Sequence, residues 1–231
     1  MTQPKETPIH PSTFAGPAPE HFGLYLVLTN PATSYERCAE AAVRAQIRYL
    51  QLRMKDAPRH VVAETARRVR AITAGSATRF IVNDDADLAA EVGADGVHLG
   101  QGDESLASAR SRYPKLSFFG LSTHNEAQAA DAQRQFPAYI GVGPVFPTPS
   151  KAKPDPVLGL ERAGTILKAT PLTAVAIGGI DETNLPQVLA AGASNFAVVR
   201  AVCAQADPYA AILRLQTLWR EAHSTFTRPN P

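Results

Sequence analysis

Acidic residues cluster in one part of this 231-residue sequence, directly behind short apolar runs. The stretch "FIVNDDADLAAEVGADGVHLGQGD" (residues 80–103) contains Asp84, Asp85, Asp87, Glu91, Asp95 and Asp103. Mg²⁺ prefers oxygen ligands and takes one or two protein carboxylates together with substrate phosphates and water. Asp84 ends one apolar run and Asp103 comes just after the next. If those runs are neighbouring parallel strands, the two aspartates form a candidate magnesium pair.

The other acids in this stretch have simpler explanations. Asp85 and Asp87 stand where a helix would begin, and acidic side chains there complement its exposed N–H groups and positive end. Asp95 lies between Gly93 and Gly96, a composition typical of a turn. We therefore expect these acids to serve the fold.

Cations and amides that could hold a diphosphate follow other apolar runs. In "QLRMK", the alternation of a strand points Gln51, Arg53 and Lys55 to the same side. Arginine offers a planar fork to phosphate oxygens and lysine a compact charge, although a solvated cation remains the alternative for each one alone. Further candidates at such positions are Asn83, Ser122, Lys151 and Arg200.

Two loops could bind a second anion. The segment "GVGPVFPTPSKAKPDPVLGLE" (residues 141–161) contains prolines that exclude a helix, and a loop of this length is usually functional. Its polar candidates are Thr148, Ser150 and Lys151. Gly178 and Gly179 precede a helix and Val199 and Arg200 follow the last apolar run, where barrels often bind phosphate. A structural turn is the alternative explanation for the glycines.

Convincing acid, base or nucleophile motifs are scarce. His98 is either a core residue or a site residue, and His124 is a possible acid or base. No pair of histidines has the HxxxH spacing of a zinc site. "GLSTH" lacks the final glycine of a nucleophile elbow, so Ser122 suits binding better than attack.

The elements that must position these residues alternate along the chain. Eight apolar runs predict strands: "GLYLVLT", "IRYLQLR", "RFIVN", "GVHLG", "SFFGLS", "YIGVG", "LTAVAIGG" and "NFAVV". Helical spacing separates them, as in residues 61–72 and 212–219. This pattern predicts a single (β/α)₈ barrel over residues 23–222, with a flexible proline-rich arm at 1–22 and a tail at 223–231. An open doubly wound sheet is less favoured because GxGxxG does not follow the first run.

Composition excludes several classes of function. A net charge of +2 with interspersed signs gives no footprint for nucleic acid or an anionic membrane. Cys38 and Cys203 lie far apart, which predicts buried free thiols. The start of the chain has no apolar signal-peptide core and no run of 18 apolar residues occurs, so we expect a cytoplasmic protein.

The motifs together resemble the thiamine phosphate synthase family. The matching text is "QLRMK", "VNDDADLAAEVGADGVHLGQGD", "GLSTHNEAQAA", "YIGVGPVFPTPSKAKPDPVLGLE" and "AIGGIDETNLPQVLAAGASNFAVVRAV". The resemblance implies a transferase that joins a hydroxymethylpyrimidine diphosphate to a thiazole phosphate and releases magnesium-bound pyrophosphate before the thiazole nitrogen attacks. It implies small-molecule substrates, with a homodimer as a possible assembly.

The resemblance also assigns roles by motif position. The pyrimidine diphosphate would be held by Gln51, Arg53, Lys55, Asn83, Ser122 and Lys151, with Arg53, Lys55, Ser122 and Lys151 nearest the chemistry. Asp84 and Asp103 would hold Mg²⁺, and the thiazole phosphate would contact Thr148, Ser150, Gly179, Val199 and Arg200. Arg200 and Ser150 depart from the usual serine and threonine of the family. A thiazole tautomerase of the same barrel family and a non-catalytic sensor of a phosphorylated thiazole are the alternatives.

Overall fold

The computed structural model describes residues 18, 21–148 and 155–226, and eight parallel strands in this part of the chain close into a barrel. Each strand pairs with the next along the chain, and the eighth pairs with the first. The strands are β1 (Gly23–Leu28), β2 (Tyr49–Leu52), β3 (Arg79–Asn83), β4 (Gly96–Leu99), β5 (Phe118–Thr123), β6 (Tyr139–Val142), β7 (Ala174–Ile177) and β8 (Asn195–Val198). The prediction of a (β/α)₈ barrel is confirmed, and every strand falls within its predicted apolar run except β5, which extends one residue past it to Thr123.

Helices connect the strands and cover the outside of the barrel. They are α1 (Tyr35–Arg44), α2 (Arg59–Thr73), α3 (Ala86–Glu91), α4 (Leu106–Arg112), α5 (Glu126–Gln135), α6 (Gly159–Ala169), α7 (Leu185–Ala190), α8 (Arg200–Cys203) and α9 (Pro208–Phe226). Asp85 is the N-cap of α3, and its carboxylate accepts a 2.7 Å hydrogen bond from the N–H of Leu88. Asp87 lies in the first turn of the same helix. Both acids therefore stabilise the helix start, as their positions predict.

Strand alternation divides the core into two layers. Outward residues of the strands pack with the helices in one large cluster that includes Leu26, Leu50 and Val97. Inward residues form a second cluster inside the barrel, which includes Tyr25, Tyr49, Phe118 and Tyr139. Strands that are buried on both faces read as continuous apolar runs, which is why these short segments are recognisable in the sequence.

The floor of the barrel, at the N-terminal ends of the strands, is closed by residues around the start of β1. The side chain of Asn195 accepts hydrogen bonds from the N–H groups of Phe22 at 2.6 Å and Gly23 at 3.0 Å. Trp219 of α9 packs beneath Gly23, and its indole N–H donates to Ser194 O at 2.8 Å. This end of the molecule is therefore tied together by polar contacts around an aromatic residue.

Both predicted domain boundaries differ in detail from the structure. Ala18, within the predicted arm, is buried, and its N–H donates to Ala138 O at 3.0 Å. Its carbonyl accepts a 2.8 Å hydrogen bond from the side-chain hydroxyl of Thr173, so hydrogen bonds to both of its backbone polar groups hold this residue against the floor. Helix α9 continues to Phe226, past the expected boundary at residue 222. Residues 1–17, 19–20 and 227–231 lie outside the described residues.

Two further sequence expectations concern the cysteines and membrane spans. Cys38 and Cys203 are both buried free thiols, as predicted. They lie next to each other, and the interaction between the two thiols lowers the pKa of Cys38 and raises that of Cys203. Among the described helices, none combines the length and apolar character that crossing a bilayer requires.

Candidate active site

A cavity of about 710 Å³ opens at the C-terminal ends of the strands. The predicted site residues that the structure describes all line it: Gln51, Arg53, Lys55, Asn83, Asp84, Asp103, Ser122, Thr148, Gly178, Gly179, Val199 and Arg200. Ser150 and Lys151 lie outside the described residues. The barrel thus brings groups from seven of its strand ends or following loops to one place, because all eight strands point the same way.

An acidic corner forms where β3 and β4 end. Asp84 and Asp103 are in side-chain contact, and the Asp103 carboxylate accepts a 2.7 Å hydrogen bond from the N–H of Gly100. The ammonium of Lys55 forms an ion pair with Asp84. Burial raises the pKa of Asp103, and the contact with Asp84 raises it further. Two carboxylates in contact repel each other when both are ionised, so a positive charge bound beside them is favourable.

Asp84 occupies an unusual backbone conformation. Its φ angle of 65° lies in the left-handed region, and its N–H donates to His98 O at 2.8 Å. Aspartate tolerates this region better than most residues, and such conformations are frequent at functional sites. The bend turns the chain at the end of β3, so that Asp84 lines the cavity while the next residue, Asp85, caps α3.

The cations of the "QLRMK" segment lie on the same wall as the acids. Arg53 is half-buried, and its N–H continues the strand pairing by donating to Leu28 O at 2.9 Å. Burial lowers the pKa of Arg53, while Asp84 and Asp56 oppose that effect. The guanidinium nevertheless stays charged, since an arginine titrates far above neutral pH. Arg53 and Lys55 therefore present two positive groups beside the acidic corner.

A chain of hydrogen bonds runs through the barrel centre below the cavity. We call Gln51, Tyr25, Tyr139, His98 and Ser122 the central chain. Gln51 Nε2 donates to Tyr25 OH at 3.0 Å, and the two tyrosine hydroxyls are 2.7 Å apart. His98 Nδ1 lies 2.9 Å from Tyr139 OH, and His98 Nε2 lies 2.9 Å from Ser122 Oγ. All five residues line the cavity, so the polar network is part of the site wall.

The backbone after β7 adopts a conformation that requires two consecutive glycines. Gly178 and Gly179 have φ angles of 105° and 67°, and added Cβ atoms would lie 2.5 Å from Pro144 and 2.7 Å from Phe146. The loop after β6 continues pairing with β7, since the N–H of Phe146 donates to Gly178 O at 2.9 Å. The structural explanation of these glycines therefore holds, and they also line the cavity.

Arg200 and Thr148 lie at the same end of the cavity as the glycine pair. Arg200 is the first residue of α8, directly after Val199, and its side chain is exposed. Thr148 is half-buried at the last described position before residue 155. The cavity thus has one cation and one hydroxyl beside the backbone turn of Gly178 and Gly179.

Some cavity residues are absent from the predicted site set. His98, Tyr25 and Tyr139 belong to the central chain described above. His124 Nδ1 contacts Gly143 O at 2.7 Å, and its Nε2 lies 3.4 Å from the carboxylate of Asp155. The inward positions of the strands were the available signal, because alternation from Gln51 in β2 and Ser122 in β5 identifies the inner face of each strand.

Comparison with known proteins decides the family. A family model described as thiamine monophosphate synthase matches residues 24–202. The chain belongs to the thiamine monophosphate synthase family. A thiamine-phosphate synthase of Anaeromyxobacter dehalogenans is 40% identical over 196 residues, which cover 84% of this chain and 86% of that protein.

Two further proteins similar to this member of the thiamine monophosphate synthase family extend the comparison. The thiamine-phosphate synthase of Gloeobacter violaceus is 45% identical over 185 residues, covering 80% of this chain. Those residues span 54% of the Gloeobacter protein, so the match is to about half of that protein's length. The structure of thiamine phosphate pyrophosphorylase from Pyrococcus furiosus superposes with a TM-score of 0.78 at 31% identity, covering 87% of this chain and 96% of that one.

Proposed function

We propose that this protein is a thiamine-phosphate synthase that joins a hydroxymethylpyrimidine diphosphate to a thiazole phosphate and releases pyrophosphate. The observation that carries the proposal is the pairing of an acidic corner with cations on one wall of a 710 Å³ cavity. Asp84 and Asp103 suit a metal-bound diphosphate, and Arg53 and Lys55 suit its oxygens. The named relatives at about 40% identity support the same reaction.

The acidic corner fits Mg²⁺ in its chemistry. Its donors are carboxylate oxygens, and the pKa of Asp103 is raised by burial and then by the contact with Asp84, which a divalent cation would offset. Within the described residues, no group of three or more acids, histidines or cysteines is arranged so that it could hold a metal ion. Two carboxylates are what Mg²⁺ commonly takes from a protein when substrate phosphates supply further ligands. Bound by Asp84 and Asp103, Mg²⁺ would neutralise charge on the departing pyrophosphate.

The side chains around the acidic corner would also stabilise the leaving group and hold the pyrimidine. Breaking the bond between the pyrimidine methylene carbon and the diphosphate oxygen moves an electron pair onto the leaving group. Arg53 and Lys55 would stabilise that growing negative charge, and Ser122 would donate a hydrogen bond to the same substrate. Asn83 and Gln51, which lie on neighbouring strands of this wall, would hold the pyrimidine part in place. None of these groups needs to attack the substrate.

The thiazole phosphate would occupy the end of the cavity beside the glycine pair. Arg200 offers a cation there, and Thr148 offers a hydroxyl. The thiazole nitrogen would then attack the methylene carbon from the open side, forming the carbon–nitrogen bond of the product. Walls built from Tyr25, Tyr139 and Ile177 would limit the access of water to a cationic pyrimidinylmethyl group.

The decisive experiment measures pyrophosphate release by the purified protein. We expect release only when both substrates and Mg²⁺ are present, together with equimolar thiamine phosphate. Arg53→Lys should lower kcat by about 10–100-fold, since it keeps the charge but loses the planar pair of guanidinium donors, at a cost of roughly 1.4–2.7 kcal/mol of barrier. Arg67→Lys, an exposed arginine of α2 paired with Glu91, is the matched control and should change kcat little.

Two results would contradict the proposal. Interconversion of thiazole tautomers without pyrophosphate release would indicate a tautomerase of the same barrel family. Tight binding of a thiazole phosphate without turnover of either substrate would indicate a sensor. Retention of full Mg²⁺-dependent turnover by Asp84→Ala would contradict the metal assignment specifically.

A further inference from the structure

The central chain links two residues that the proposed function places against the diphosphate substrate. Gln51 lies at one end and Ser122 at the other, with Tyr25, Tyr139 and His98 between them. Each contact is between 2.7 and 3.0 Å, which is the normal range for hydrogen bonds. A chain of this kind has a direction, because every hydroxyl can donate only one hydrogen.

The direction is set at the glutamine end. The amide nitrogen of Gln51 can only donate, so the oxygen of Tyr25 accepts. Tyr25 is almost fully buried, and its own hydrogen requires an acceptor, which the hydroxyl of Tyr139 provides at 2.7 Å. The hydrogen of Tyr139 is therefore left for His98 Nδ1.

The tautomer of His98 follows from that direction. Because Nδ1 accepts from Tyr139, the neutral ring carries its hydrogen on Nε2 and donates to Ser122 Oγ at 2.9 Å. Ser122 then accepts from His98, which leaves its own hydrogen available to an acceptor in the cavity that it lines. Burial raises the pKa of both Tyr25 and Tyr139, so neither phenol ionises near neutral pH.

We propose that His98 is a positioning residue, oriented by Tyr139 and Tyr25, that keeps the hydroxyl of Ser122 acting as a hydrogen-bond donor toward the substrate. This inference rests on the proposed function. The substrate atom at Ser122 must be an acceptor, and we assign it to an oxygen of the diphosphate. A donor fixed in this direction stabilises an oxygen on which negative charge grows, so its contribution is larger in the transition state than in the ground state.

Tyr139→Phe tests the direction of the chain while keeping the aromatic ring. Without the Tyr139 hydroxyl, His98 is free to carry its hydrogen on Nδ1 and to accept from Ser122, which turns the Ser122 hydrogen away from the substrate. We expect kcat to fall about tenfold, equivalent to about 1.4 kcal/mol of barrier, with the KM for the thiazole phosphate unchanged.

Tyr49→Phe is the matched control. The ring of Tyr49 lies in the same cluster, 5.7 Å from Tyr25 and 6.3 Å from Tyr139 between centroids, but its hydroxyl is not part of the central chain. Tyr49→Phe therefore removes a buried phenol hydroxyl from the same cluster, and the kcat of this variant should stay within about twofold of the wild-type value. Equal losses in Tyr139→Phe and Tyr49→Phe would overturn the inference, because they would reflect a general effect on packing.

A double-mutant cycle separates positioning from structural support. In the Ser122→Ala background the hydroxyl to be oriented is gone, so Tyr139→Phe should cause no further loss of kcat. Additive losses would overturn the inference. His98→Gln, which can place an N–H near the position of Nε2, should retain more activity than His98→Leu. Equal activity of these two variants would also count against it.

Two readouts distinguish this inference from the proposed function. The ¹⁵N chemical shifts of the His98 ring should report a hydrogen on Nε2 in the wild type and a change of tautomer in Tyr139→Phe, whatever the reaction. A hydrogen on Nδ1 in the wild type would overturn the inference even if the enzyme is active. Binding of pyrophosphate alone should weaken in His98→Leu, whereas weakening only for the hydroxymethylpyrimidine would place the acceptor on the ring and contradict the assignment to the diphosphate.

Discussion

The carboxyl groups of Asp84 and Asp103 contact each other across the ends of neighbouring strands β3 and β4. Asp103 is further held by the N–H of Gly100, and Asp84 by the ammonium of Lys55. The protein therefore holds two carboxylates together, and the groups around each of them neutralise its negative charge only in part. Such an arrangement favours binding of a cation over stability of the fold.

Asp103→Asn should separate these two effects. We expect a small gain in stability of the chelator-treated protein, below about 1 kcal/mol because Asp103 is only partly buried and solvent screens its charge. The same variant should lose most of its Mg²⁺-dependent activity and of its stabilisation by added MgCl₂. Thermal unfolding with and without MgCl₂ measures the first effect, and pyrophosphate release measures the second. Asp87→Asn, at an acid of α3 paired with Arg112, is the control and should leave Mg²⁺ dependence unchanged.

The pH dependence of stability should carry the signature of Asp103. Its pKa is raised in the folded state, so the unfolded chain releases this proton at a lower pH, near the ordinary value of about 3.9. The contribution to stability is therefore present below that value and is lost as the pH rises through the raised pKa. We expect the Tm of chelator-treated protein to fall over this interval relative to Asp103→Asn. Parallel Tm curves for the two proteins would contradict the assignment.

Gly179→Ala should be more harmful than its backbone angle alone suggests. Positive φ costs an alanine about 1 kcal/mol, and the contact of 2.7 Å with Phe146 adds overpacking of roughly 1–3 kcal/mol. The loop after β6 must shift in response, so kcat/KM should fall as well. Gly75→Ala is the matched control, since Gly75 has a φ of 74° and no neighbour within 4 Å of an added Cβ. Chemical denaturation gives the free energy of unfolding of both variants. Comparing them separates the cost of positive φ from the cost of the contact with Phe146.

Arg200→Ser should raise the KM for the thiazole phosphate by about tenfold, because a charge-assisted hydrogen bond to phosphate is worth roughly 1.5 kcal/mol or more. The KM for the pyrimidine diphosphate should stay near the wild-type value, since Arg200 lies at the glycine-pair end of the cavity, beside Val199. Steady-state kinetics with each substrate varied in turn make this measurement. A change in the KM of the pyrimidine diphosphate alone would contradict the placement of Arg200.

The sequence was most informative where one element determines the position of a residue. Apolar runs such as "RFIVN" predict strands, and parallel strands bring their ends together, which is why Asp84 and Asp103 could be paired in advance. Asp85 could be assigned to a helix start for the same reason, since capping is local. These predictions depended on short stretches of sequence and on one rule of barrel geometry.

The remaining features depend on contacts between distant strands. Tyr25 and Tyr139 read as ordinary core aromatics, because nothing local indicates that their hydroxyls meet at 2.7 Å. The sequence allows His98 to be either a core residue or a site residue. Its hydrogen bond to Ser122 is set by the register of β4 against β5. The burial of Ala18 likewise depends on Ala138 and Thr173, far along the chain. Register across a closed barrel is not encoded in any single segment.

The layout of the aromatic residues gives the protein two separate optical reporters. The single tryptophan, Trp219, lies at the barrel floor beneath Gly23, whereas Tyr25, Tyr49 and Tyr139 are stacked within the barrel, with Tyr25 and Tyr139 facing the cavity. Tryptophan fluorescence should therefore follow unfolding at the end remote from bound ligand. Near-ultraviolet circular dichroism of the tyrosines should instead follow occupancy of the cavity, so that titration and denaturation are readable in one sample without an added label.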